Sequence, residues 1–203
     1  MDSVLLKKVE IFVKELFSNK AAKENLYHSI THTTEVVDIA EKIGLAEGIS
    51  QSDLEILLIA CWFHDTGHLH CCIGHEDHSS VYAEKYLIRN SYPKEGIDKI
   101  IGCIKATKIP QQPKNKLEEI ICDADLHHLG QTNIYERGEL LRKEFELRGF
   151  KKLSDPDWLK KSIDFFKNHI FFTEYARKEF GSQKELNLNK MEKKLGELEI
   201  ASK

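Results

Sequence analysis

Ten consecutive residues constrain this chain more than any others. Leu54-Glu55-Ile56-Leu57-Leu58-Ile59-Ala60-Cys61-Trp62-Phe63 is apolar at every position but one and runs directly into His64-Asp65. A helix that is apolar on all sides has to be surrounded by other elements, so the rest of the chain must fold around this one. Its end carries an imidazole and a carboxylate to the edge of a core, where a charged group is costly unless something pairs with it. Ser52 and Asp53 stand before the run as candidate caps. Gly67, just beyond His64-Asp65, suits the left-handed residue that ends many helices.

Only four prolines and eleven glycines punctuate the 203 residues, and apolar side chains recur at helical spacing almost throughout. The spacing predicts helices over 3–18, 30–46, 51–65, 75–90, 94–107, 114–124, 132–148, 155–179 and 182–198, with Ser154 or Asp155 capping the one that opens at Pro156. No stretch alternates apolar and polar residues as a half-buried strand would. The expected fold class is therefore all-α, a compact multi-helix bundle. A chain of this size can bury one substantial core, and we expect one domain over 1–180 with a helical extension over 181–203. In that extension Leu186, Leu188, Met191, Leu195 and Leu198 form a thin apolar stripe. It covers the parent domain or, alternatively, serves a homodimer.

A formal net charge of -3 provides no basic field for nucleic acid, and no stretch approaches the roughly 20 apolar residues of a membrane span. The first residues, MDSVLLKKVEIFVKELF, read as an amphipathic helix without the apolar core of a signal peptide. Five cysteines, Cys61, Cys71, Cys72, Cys103 and Cys122, form no CxxC pair and leave an odd count, which argues against a disulfide framework. A cytoplasmic protein is expected, acting on a small partner and on neither nucleic acid nor membrane.

Further polar groups of the right kind flank His64-Asp65. His28 and His32 are four residues apart, on one face of a helix if both are helical. One could bind a cation while the other addresses whatever the cation holds. Asp125 would close the site from a later helix, although Asp123 offers the same chemistry two residues earlier. Two imidazoles and two carboxylates without a thiolate do not make structural zinc. They suit manganese, iron, cobalt, nickel, zinc or, less well, magnesium, with water completing the shell. Such a centre acidifies a bound water and polarises a phosphoryl oxygen. His75 and His78 lie three apart on a probable helix face, near the site or in solvent; Lys105 and Lys108 offer cations for a phosphate or are plain solvated lysines.

In the order His32, His64-Asp65, Asp125 the chain resembles the HD superfamily of metal-dependent phosphohydrolases, over residues of about 25 to 130. The resemblance implies that these four residues are the metal ligands. Tyr27-His28-x-x-x-His32 is similar to the motif of cyclic-nucleotide phosphodiesterases, which implies a general-acid role for His28. His68, three residues after Asp65, matches a histidine that in those enzymes contacts the water shell near a second metal. The chain lacks the Glu-Asp that follows His-Asp in alarmone hydrolases, and it has no histidine between 79 and 126 where dinuclear members need them. A complete second metal site is thus not expected, although Asp65 could bridge to a weakly held second ion. The implied activity is phosphohydrolysis of a small phosphate ester, a nucleotide foremost. Its catalytic residues would be His28, Asp65 and His68, and its substrate-binding residues Lys105 and His75. A non-catalytic metal- or nucleotide-binding sensor and a di-iron oxygenase on the same scaffold are the alternatives.

Overall fold

The structure, a computed structural model, describes residues 3–20 and 24–201. These contain nine α-helices and no strand: α1 (Val4–Lys20), α2 (Ile30–Ala46), α3 (Gln51–Phe63), α4 (His75–Arg89), α5 (Lys94–Ala106), α6 (Lys116–Asp125), α7 (Ile134–Leu147), α8 (Asp155–Asn168) and α9 (Glu174–Ala201). Two single 3-10 turns, Thr66–Leu69 and His127–Gly130, follow α3 and α6.

Helix α3 is the centre of the bundle. Leu57, Ile59, Ala60, Cys61 and Phe63 are entirely shielded from solvent, with α1, α2, α4, α5 and α6 packed around them. The cap is Ser50 rather than Ser52 or Asp53: its hydroxyl accepts the Asp53 N–H at 3.1 Å. Asp53 then stands inside the first turn, where a negative charge meets the positive end of the helix dipole.

Gly67 serves a different purpose from the one its position suggested. Positive φ occurs at Gly48, Gly74 and Gly149 and not at Gly67. What Gly67 provides is room, since a Cβ there would lie 1.9 Å from the carbonyl oxygen of His75. The turn after α3 is thereby pressed against the start of α4, and the Gly67 N–H donates to Ser79 Oγ at 2.8 Å.

The helix expected over 155–179 is broken, and the break comes from outside it. Asp123 of α6 accepts the N–H groups of Phe172 (2.8 Å) and Thr173 (2.7 Å) and the Thr173 hydroxyl (2.7 Å). A continuous helix would have kept those N–H groups for its own carbonyls. Helix α9 starts at Glu174 and runs unbroken past residues 180 and 181, along α8 and the 127–130 turn. Of its apolar stripe, Met191 is buried and Leu188, Leu195 and Leu198 rest on the core, while Leu186 is exposed. Asn187 pins the helix by donating to the carbonyls of Leu129 and Gln131. Residues 202 and 203 of the expected extension lie outside the described residues.

Candidate metal centre

Three helix ends bring four ligand atoms together. His32 Nε2 lies 3.2 Å from Asp125 Oδ1 and 3.4 Å from Asp65 Oδ2, and His64 Nε2 lies 3.6 and 3.3 Å from the same two oxygens. Ligands about 2.0–2.2 Å from a shared centre stand at roughly these separations from one another. The Nδ1–H of His64 donates to the Cys61 carbonyl at 2.7 Å, which leaves the Nε2 lone pair facing the cluster. His64 Nε2 and Asp65 Oδ2 are buried without any hydrogen-bond partner, an arrangement that is expensive unless a cation takes up the lone pairs. The donor set and its orphaned atoms fit a divalent metal.

The electrostatics agree. Burial lowers the His64 pKa, but the charges of Asp65 and Asp125 outweigh it and hold it well above its usual value. Burial raises both carboxylates, and the facing histidines more than reverse this, so Asp65 and Asp125 ionise well below the ordinary range. Asp123 behaves in the opposite sense: burial pushes it up to about 6 against its three hydrogen bonds. It faces Phe172 and Thr173, away from the histidines, so the choice between the two carboxylates falls on Asp125.

A second cluster shares Asp65. Asp65 Oδ1 is 3.6 Å from His75 Nε2 and 3.9 Å from His68 Nε2, and these three residues could hold an ion of their own. His75 Nδ1–H donates to the Cys72 carbonyl at 2.9 Å, so its Nε2 lone pair faces Asp65. Burial holds the His68 pKa far down, assisted by the charge of His28, which leaves a neutral ring with both nitrogens unpartnered. The sequence left at most a weakly held second ion at Asp65, for want of histidines between 79 and 126. The partners are earlier ones, brought to Asp65 by the close approach at Gly67.

His28 is not on α2. It lies in the bend before Ser29, the N-cap, because the wholly buried Glu144 of α7 takes the N–H groups of Tyr27 (2.8 Å) and His28 (3.0 Å) on one oxygen. The other Glu144 oxygen accepts His28 Nδ1–H at 2.6 Å. The His28 ring stacks on His68 at 3.7 Å between centroids, and His68 on His75 at 3.8 Å. Burial lowers the His28 pKa, yet the Glu144 hydrogen bond and the neighbouring carboxylates leave it raised.

These groups open on one cavity of about 600 Å³ whose walls include Tyr27, His28, Asp65, His68, His75 and Asp125. Lys108 lies on its wall, whereas Lys105 is exposed and paired with Asp77 at 3.8 Å. His78 meets His70 away from the cavity walls. Sequence reasoning passed over Glu144 and over His128, which lines the cavity and stands 3.1 Å from the Tyr27 hydroxyl. The HD domain model matches residues 29–198.

The chain belongs to the HD domain family. No curated protein matches it. Among solved structures, a predicted HD superfamily hydrolase from an uncultured Thermotogales bacterium superposes with a TM-score of 0.62 at 19% identity, over 95% of this chain and 92% of that one. That likeness shares the all-helical HD fold. The HD domain match spans every residue of the four-ligand cluster, from His32 on α2 to Asp125 on α6.

Proposed function

We propose that this HD domain protein is a metal-dependent phosphohydrolase acting on a small phosphate ester. The observation that carries the reading is the convergence of His32, His64, Asp65 and Asp125 beside a histidine held by a buried carboxylate. A divalent cation held by those four residues supplies Lewis acidity, giving an acidified water and a polarised phosphoryl oxygen. Asp65, whose Oδ1 is turned toward His68 and His75, would orient the nucleophilic water or accept its proton. His28, its Nδ1 fixed by Glu144, presents Nε2 as the proton donor to the departing oxygen. The Glu144 hydrogen bond raises the pKa of that donor, and Lys108 on the cavity wall offers charge to the phosphate. A nucleotide is the ester class named by the sequence. The five unpaired cysteines and the formal charge of -3 support a cytoplasmic setting and a small substrate in place of nucleic acid. No helix of the described residues is long and apolar enough to cross a membrane.

The test is elemental analysis of chelator-free protein, followed by hydrolysis of generic phosphate mono- and diesters with added manganese, beside His64→Ala and Asp125→Ala. Bound metal and turnover, both lost in the variants, support the reading. Metal without turnover of any ester favours a sensor, and absence of metal sinks the proposal. The Asp65, His68 and His75 cluster keeps a second reading, a paired-iron oxygenase. Anaerobic loading with iron and a spectrum of coupled ions would favour it.

A further inference from the structure

The cavity has two unlike ends. One is the polar cluster described above; the other is made by α7, α8 and α9, where Ile134, Leu141, Phe145, Trp158, Phe166 and Met191 line it. Helix α7 buries only Ile134 and Glu144 among its residues. Leu141 and Phe145, one turn apart on the same face, are half-buried, as is Trp158 across from them. None of these three belongs to the packed core. Phe145 and Trp158 meet edge to face at 6.3 Å, with Phe150 against Phe145 at 5.3 Å and the Arg142 guanidinium over the Trp158 ring at 6.0 Å, and both line the cavity. Protein interiors are close-packed, so apolar side chains arranged around a large void leave dispersion and burial unrealised until something fills it.

The polar side chains at this end are Arg137, Ser162 and the exposed Lys161. The Ser162 hydroxyl donates to the Trp158 carbonyl at 3.0 Å, and the Arg137 guanidinium is paired with Glu35. A nucleobase seated here would find donors in Lys161 and the unpartnered Arg137 Nε but few acceptors for the N–H groups on its edge, which is unfavourable. An alkyl or aryl group meets no such penalty.

We infer that the substrate is the phosphate ester of an apolar alcohol, its phosphate at the metal cluster and its alkyl or aryl group between α7 and α8. The inference rests on the phosphohydrolase reading and puts an ester of an apolar alcohol in place of the nucleotide that the sequence resemblance implies.

The test is calorimetric binding of alkylphosphonates, from methyl to hexyl, to manganese-loaded protein, with adenosine monophosphate alongside. Affinity is expected to rise by roughly threefold to fourfold per methylene, with an increasingly negative heat-capacity change. Leu141→Asp is expected to cut the hexyl-to-methyl affinity ratio at least about tenfold, because the wall then carries a charge. The ratio is internal to each protein, and should the variant fail to fold, the wild-type series alone decides. Methylphosphonate binding without any gain along the series overturns the apolar substrate and leaves the phosphohydrolase reading standing. Tighter binding of adenosine monophosphate than of hexylphosphonate overturns it in favour of a nucleotide. No binding of any phosphonate to metal-loaded protein overturns both.

Discussion

The two ends of the cavity are built to different standards. At the metal end the side chains stand at helix ends or in the turns beside them, and three of the rings are tied down through Nδ1: His64 by Cys61, His75 by Cys72, His28 by Glu144. At the other end, α7 and α8 hold large apolar side chains away from the core and tie few of them. Chemistry that tolerates little misplacement belongs on rigid elements, whereas a wall that only excludes water can remain loosely packed. The contrast separates residues whose loss removes the reaction from residues whose loss changes what reacts.

The most damaging substitution should fall in the packed region. Leu57→Ala, in the sealed heart of α3, is expected to cost about 3 kcal/mol, a fall in Tm of about 6–12 °C for a chain of this length. A loss below 2 °C would show that the metal end is no better packed than the other. The two carboxylates of α6 sharpen the comparison. Asp123→Ala strands three donors at roughly 1 kcal/mol or more apiece and should lower Tm while metal is retained. Asp125→Ala should weaken metal binding more than about a hundredfold. Metal titrations and melting curves of both variants read the difference, and exchanged phenotypes would reverse the assignment.

Glu144→Gln comes next. His28 holds its proton below its raised pKa and loses it as pH rises through that value, so activity that needs the proton fades on the alkaline side. Without the carboxylate charge, that limb of the kcat profile should move to lower pH, and kcat at pH 7.5 should fall about tenfold or more. An unmoved limb would reduce Glu144 to a structural tie. The mildest effect is expected from Trp158→Ala. Half-buried and off the core, Trp158 should take less than about 1 kcal/mol of stability with it, well short of the 3–5 usual for a core aromatic, while the preference for long phosphonates drops. A large loss of Tm would mean that this wall is core after all.

Much of the site was legible because the informative residues are rare types in a fixed order. His32, His64, Asp65 and Asp125 stand out as polar groups beside apolar helices, and their chemistry follows from side chains alone. The break at 169–173 was invisible because its cause is Asp123, some fifty residues away, and no local propensity opposes a helix there. The pairing of His68 with His75 depends on the missing side chain of Gly67, and a glycine's value as empty space cannot be told from its value as a hinge without the neighbouring chain. Glu144, set among Lys143, Phe145 and Glu146, reads as one more charge on a solvated face. Its partners, Tyr27 and His28, are more than a hundred residues distant. Nothing in the sequence marks Leu141, Phe145 and Trp158 as a cavity wall, because periodicity marks an apolar face and does not say whether protein or ligand covers it.

The clamp on Asp123 also sets an order of assembly. His32, His64 and Asp65 precede Asp125 in the chain, but the helix that carries Asp125 is tied by Phe172 and Thr173, which are made some fifty residues after Asp123. Until then α6 rests on α2, α3 and α5 without that tie. A chain stopped before Phe172 can therefore fold its central helices while the seat of Asp125 stays looser than in the finished fold.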